Sequence, residues 1–241
     1  MGEEFCWEEL SPSLFICLSS AHKFGTDAFL LSDFAAPRRK DLCCDLGTGC
    51  GIIPLLWFRD DPPRLCYGAD IQKQAIEQLE QSIQKNGLKN RFIPLLTDLK
   101  ELSSLPCGPL DLVTCNPPYK AQGSGILSET DAERIARHEV LCTIEDVCQA
   151  ASRLLRFGGR LCLCQRPERL CDTLCAMRSA GIEPKRVRFV QQRPASAPWL
   201  FLVEGKKGSK PYMTVEPPLL VEGEGGFSQE ILRIYHKKEN L

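Results

Sequence analysis

The run from Asp41 to Phe58 restricts the fold of this 241-residue chain more than any other stretch. Leu42, Cys43, Cys44 and Leu46 form an apolar strand pattern, and Gly47, Gly49 and Gly51 then stand at every second position. Ile52 to Phe58 opens a helix in which Pro54 is tolerable only because it falls in the first turn. A strand that passes over a glycine loop straight into a helix starts a βαβ unit. The alternation continues down the chain. RLCYGAD reads as a strand, and Ile71, Ala75, Ile76, Leu79 and Ile83 then mark one face of an amphipathic helix that Asn86-Gly87 stops. RFIPLL and LDLVTC are strands, followed by a helix from about Ile144 to Arg156 that Phe157-Gly158-Gly159 ends. RLCLCQ is a strand, a helix runs from Pro167 to about Ala180 and stops at Gly181, and RVRFVQ and WLFLVEG are the last two core strands. This spacing predicts an α/β fold: one domain with a doubly wound, seven-stranded, mostly parallel sheet of Rossmann-like form. Within it we expect residues 1–40 to supply strands and a helix covering the site, 41–205 the core, and 206–241 a C-terminal arm with a terminal strand at ILRIYH.

Composition removes several function classes. No apolar run approaches the ~20 residues of a membrane helix, and the acidic N-terminus is unlike a signal peptide. Fourteen cysteines lack any Cys-x-x-Cys pair and mostly sit in apolar runs, so they read as reduced small hydrophobes in a reducing, cytoplasmic setting. His22 and His236 have no partner at ligand spacing, so no metal is expected. The net charge of −1 conceals an asymmetry. From Ala151 onward there are 16 Lys and Arg against 9 Asp and Glu, a net of +7 that leaves −8 for residues 1–150. The cluster at Lys185, Arg186, Arg188, Arg193, Lys206 and Lys207 suggests a polyanionic partner.

A ligand of a doubly wound sheet lies at the carboxyl ends of its strands. There stands Asp45-Leu46-Gly47-Thr48-Gly49-Cys50-Gly51, with its third glycine one residue too early for a nicotinamide loop. The carboxylate ahead of the loop would repel a pyrophosphate and suits a cationic ligand without phosphate, which points to S-adenosylmethionine. DLGTGCG resembles the first motif of the class I S-adenosylmethionine-dependent methyltransferases. Asp70, with Ile71 beside it, follows at the distance of a ribose-binding acid, and Asp98 closes the third strand. In that family the last position meets the adenine amino group.

The fourth strand ends in Asn116-Pro117-Pro118-Tyr119. Two prolines fix the backbone, so the Asn116 side-chain carbonyl and the next main-chain carbonyl form a rigid pair of acceptors for an amine with two N–H bonds. Tyr119 offers a ring on which the acceptor can stack. This chemistry selects an amine or amide nitrogen without saying which molecule carries it. HKFGTDAFLLSDF from His22, NPPYKAQGSG from Asn116, IARHEVLCTIEDV from Ile135 and RPERLCDTLCAMRSAGIEPKRVRFV from Arg166 resemble the bacterial tRNA(Val) adenine-37 N6-methyltransferase family. The resemblance implies a tRNA anticodon-loop substrate with S-adenosylmethionine as donor; beside it we expect no membrane, no metal and a monomer. It implies that Lys23, Phe24, Gly25, Thr26 and Asp27 close over the methionine end of the cofactor, which Asn116 also borders. Lys120 and His138 join the basic cluster as expected RNA contacts. Release-factor glutamine methyltransferases share the Asn-Pro-Pro-Tyr motif, and an idle RNA-binding module is a third reading.

Overall fold

The computed structural model describes residues 5–19, 24–117 and 142–236. The chain starts with the hairpin β1 (Cys6–Ser11) and β2 (Leu14–Leu18), then α1 (Thr26–Ala35). Next come β3 (Leu42–Leu46), α2 (Ile52–Arg59), β4 (Leu65–Asp70), α3 (Lys73–Lys85), β5 (Phe92–Leu96) and β6 (Leu110–Cys115). After residue 141 follow α4 (Ile144–Leu154), β7 (Leu155–Gln165), a 3-10 turn at Pro167–Arg169, α5 (Leu170–Ser179), β8 (Ile182–Gln191) and β9 (Pro198–Lys207). The arm holds β10 (Thr214–Val215), β11 (Leu219–Leu220), the two-residue pair β12 (Glu222–Gly223) and β13 (Gly226–Phe227), and α6 (Gln229–Ile234).

The central sheet runs β10-β8-β9-β7-β6-β3-β4-β5, with β11 also on β8. Only β9 lies antiparallel to its sheet neighbours. The chain builds β3, β4 and β5 outward in one direction and returns to place β6 on the other side of β3. The strand order therefore reverses between β3 and β6, and a crevice opens at their carboxyl ends. Alternate strand residues face opposite layers: Cys43 packs with α1, α2 and α3, whereas Cys44 packs with α4 and α5.

The expected seven strands are present, and two short ones from the arm enlarge the sheet to nine. Two other expectations change. ILRIYH is not a strand: Ile231 and Ile234 are both buried, three residues apart, and the Ser228 hydroxyl accepts from Ile231 N at the start of α6. The helix expected to reach Arg156 stops at Leu154, because β7 begins at Leu155 and takes Gly158-Gly159 into a bulge between the Leu110 and Leu112 pairings. A Cβ at Gly159 would sit 2.9 Å from the Leu110 carbonyl oxygen, so that bulge needs glycine. Asn86 ends α3 as expected, and it also bonds Phe15 N and O through its amide.

Candidate active site

The glycine loop lies over the end of β4: Gly47 N and Thr48 N both donate to Ala69 O. Gly47, Gly49 and Gly51 have φ of 68°, 54° and 82°, conformations that disfavour any side chain. At Gly51 space is a second reason, since a Cβ would stand 2.4 Å from Leu79 Cδ1. The loop is tied down by Asp70, which accepts from Gly49 N through one oxygen and from Gln72 N through the other, each at 2.9 Å.

Two cavities meet at this end of the sheet. One of about 300 Å³ is lined by Asp70, Ile71, Asp98, Leu99 and Pro117 among others. The second, about 240 Å³, is lined by Phe24, Gly25, Asp27, Thr48 and Gly49 among others. Gly47 and Asn116 border both. Carboxylates line the two spaces and, among the described residues, no lysine or arginine does. Such walls fit an elongated cationic ligand and oppose a phosphate.

The expected acids are placed unequally. Asp70 and Asp98 face the larger cavity. Neither caps a helix; Asp98 instead accepts from Lys100 N in a turn. Asp45 differs from expectation: it is 1% exposed, lines neither cavity, and accepts from Thr114 Oγ1 at 2.6 Å. Burial pushes its carboxyl from 3.8 to about 7; the Thr114 and Thr48 hydroxyls pull it down, and the Asp70 charge adds to the rise. The loop that was expected to display this acid covers it.

Asn116 is held between elements far apart in sequence. Its Nδ2 donates to Asp27 Oδ2 at 3.1 Å, and its Oδ1 accepts from Cys164 Sγ at 3.2 Å. Asp27 lies in the first turn of α1, where it also accepts from Ala28 N. Thr26, the first residue of that helix, lines neither cavity. Lys23, Pro118, Tyr119, Lys120 and His138 lie outside the described residues.

The C-terminal basic cluster is not an open positive face. Arg186 binds Glu204 and Glu216 and stacks 3.9 Å from the Phe34 ring centre, and Arg188 pairs with both oxygens of Glu230. Arg193 pairs with Glu222, and Lys207 donates to Ser152 O and Leu155 O. Lys185 donates to Lys210 O and lies over Tyr212, so of the expected six only Lys206 makes no such contact among the described residues. A charge count along the sequence cannot see that these cations already have acceptors inside the fold. Sequence reasoning missed Thr114 and Cys164. The only signal for them was their place at a strand end.

The methyltransferase small domain model matches residues 20–177, from the start of the smaller cavity through Cys164 and most of α5. The chain belongs to the methyltransferase small domain family. The chain is also 29% identical over 185 residues to a tRNA1(Val) (adenine(37)-N6)-methyltransferase of Parabacteroides distasonis, covering 76% of each chain. A protein of that name from Tolumonas auensis is 28% identical over 218 residues, 89% of this chain and 88% of the other. Among solved structures, a predicted O-methyltransferase from Agrobacterium tumefaciens superposes with a TM-score of 0.69 at 21% identity, over 88% of this chain and 96% of that one. That likeness speaks for the methyltransferase fold. No described helix is long and apolar enough to cross a membrane.

Proposed function

We propose that this chain methylates the exocyclic N6 of an adenine in tRNA, the adenine at position 37 of the anticodon loop, with S-adenosylmethionine as donor. One observation carries the reading: the Asn116 amide stands where two carboxylate-lined cavities meet. In this reading Asp70 and Asp98, which line the larger cavity, take the nucleoside end of the donor, and Asp27, Phe24 and the glycine loop, which line the smaller one, its charged amino-acid end. Bound there, the donor supplies a methyl group on a positively charged sulfur. Asn116 Oδ1 and the Pro117 carbonyl then accept from the two N–H bonds of the acceptor amine. That steers the nitrogen lone pair toward the methyl carbon and favours the positive charge that grows on nitrogen as the new bond forms. The extra proton can leave to water afterwards, so this step requires no side-chain base.

The names of the relatives, which cover most of this chain, support adenine in tRNA as the acceptor. A base in an anticodon loop is reached at little unpairing cost. The fourteen cysteines form no disulfide, which fits work in the reducing cytosol.

Mass spectrometry of tRNA nucleosides, after incubation with the protein and S-adenosylmethionine, tests the reading. We expect N6-methyladenosine in an anticodon-loop fragment, and loss of at least about a hundredfold in rate for Asn116→Ala with donor affinity retained. Methylation of a release-factor glutamine with unmodified tRNA would overturn it.

A further inference from the structure

An asparagine amide has a nearly two-fold torsion at its end, so the plane of Asn116 can present either oxygen or NH2 to the same point. Only one of these works. An acceptor amine offers hydrogens, and an NH2 turned toward it would set donor against donor. Two neighbours decide the orientation. Asp27 Oδ2, 3.1 Å from Nδ2, is a carboxylate oxygen and can only accept. Cys164 Sγ, 3.2 Å from Oδ1, supplies a thiol hydrogen from a fully buried position. Turning the amide over would set its carbonyl against the carboxylate. Gly25 contributes by lacking a side chain: a Cβ there would sit 2.6 Å from Asp27 Oδ1, although its φ of −113° is open to any residue.

We propose that Asp27 and Cys164 are positioning residues that lock the Asn116 amide with Oδ1 toward the acceptor amine. The inference rests on the methyl-transfer reading and adds two groups that act through Asn116. Cys164 suits the task because a thiol is a weak donor. It fixes the carbonyl through one of the two lone pairs that an amide oxygen carries.

The chain has four asparagines, Asn86, Asn90, Asn116 and Asn240, so protein labelled with 15N-asparagine gives four side-chain NH2 signals, and Asn116→Ala identifies one. The experiment measures solvent exchange of that NH2 in wild type, Cys164→Ala, Cys164→Ser and Gly25→Ala, together with kcat, KM for tRNA and donor Kd. In Cys164→Ala we expect faster exchange at Asn116 and a kcat lower by roughly tenfold or more, with KM and donor Kd within about twofold, because Cys164 lines neither cavity. Serine, a donor on a shorter bond, restores part of both losses. Gly25→Ala also speeds exchange, by displacing Asp27. Unchanged exchange at Asn116, or an unchanged kcat in Cys164→Ala, overturns the proposal. If wild type transfers no methyl group to tRNA, the functional reading fails, and exchange at Asn116 still decides the positioning role.

Discussion

At the scale of single residues, Asp45 shows how far burial can move a group that the sequence marks plainly. Its carboxyl rises from 3.8 in the open chain to about 7 in the fold, chiefly through lost hydration. A raised carboxyl stabilises the fold fully below pH 3.8, and that contribution is lost as pH climbs toward and through 7. Asp45→Asn keeps the shape and an acceptor for Thr114 but has no proton to lose. Its stability relative to wild type should therefore grow between pH 4 and 7 and level off above, by up to roughly 4 kcal/mol at about 1.4 kcal/mol per pH unit. Urea unfolding across that range checks this; parallel pH profiles for the two proteins would count against it. The other buried acid-bearing groups behave more simply. Burial holds the Cys43, Cys44, Cys66 and Cys115 thiols well above their usual range, so they stay protonated and pack as apolar groups, as their setting in the sequence suggests.

At the scale of elements, α3 carries two stripes, of which the sequence advertises only one. The apolar stripe with Ala75, Ile76, Leu79 and Ile83 faces the core. Beside it Gln78, Ser82 and Asn86, each four residues apart, satisfy the outer edge of β2. Ser82 Oγ accepts from Cys17 N, Gln78 Nε2 donates to Cys17 O at 2.7 Å, and Asn86 bonds both polar groups of Phe15. A helix thus stands in for the strand that would otherwise pair there, and the hairpin edge is closed. Gln78→Leu leaves a buried carbonyl without its partner and should cost about 1–3 kcal/mol. Denaturant unfolding with an unchanged slope is the measurement, and a loss under ~0.5 kcal/mol would show that the row does not hold the hairpin. The same geometry explains why α6 was misread as a strand: in six residues, periods of two and three give similar patterns, and the packing of Ile231 and Ile234 against the core decides between them.

At the scale of the whole molecule, Glu204 joins parts of the fold that meet nowhere else in sequence. It is 6% exposed on β9 and receives Arg160 from β7 and Arg186 from β8, while the two arginines also bind Ala35 O and Phe34 O at the end of α1. The helix that presents Asp27 at one end is therefore fastened to the sheet at the other. Glu204→Gln leaves two partly buried guanidinium groups short of a counter-charge, and we expect a loss of roughly 3 kcal/mol, read as a lower urea midpoint. A loss below ~1 kcal/mol would show that the main-chain carbonyls suffice. Pairings of this kind hold cations of the C-terminal third in place but lie within it and leave its +7 unchanged, whereas Arg156, Arg160 and Arg233 reach Asp111, Asp41 and Asp33 of the acidic first part. By itself the sequence determined what is local: the βαβ alternation, the glycine loop between β3 and α2, the acids closing β4 and β5, and the Asn116-Pro117 step after β6, because each depends on residues within a few positions. What only the tertiary structure decided is which of these groups meet. Cys164 reaches Asn116 across 48 residues because β6 and β7 pair in one register, and Asp27 reaches it across 89 because α1 folds over the sheet end. A register between distant strands and the burial of a carboxylate are properties of the assembled chain, and no short window of sequence contains them.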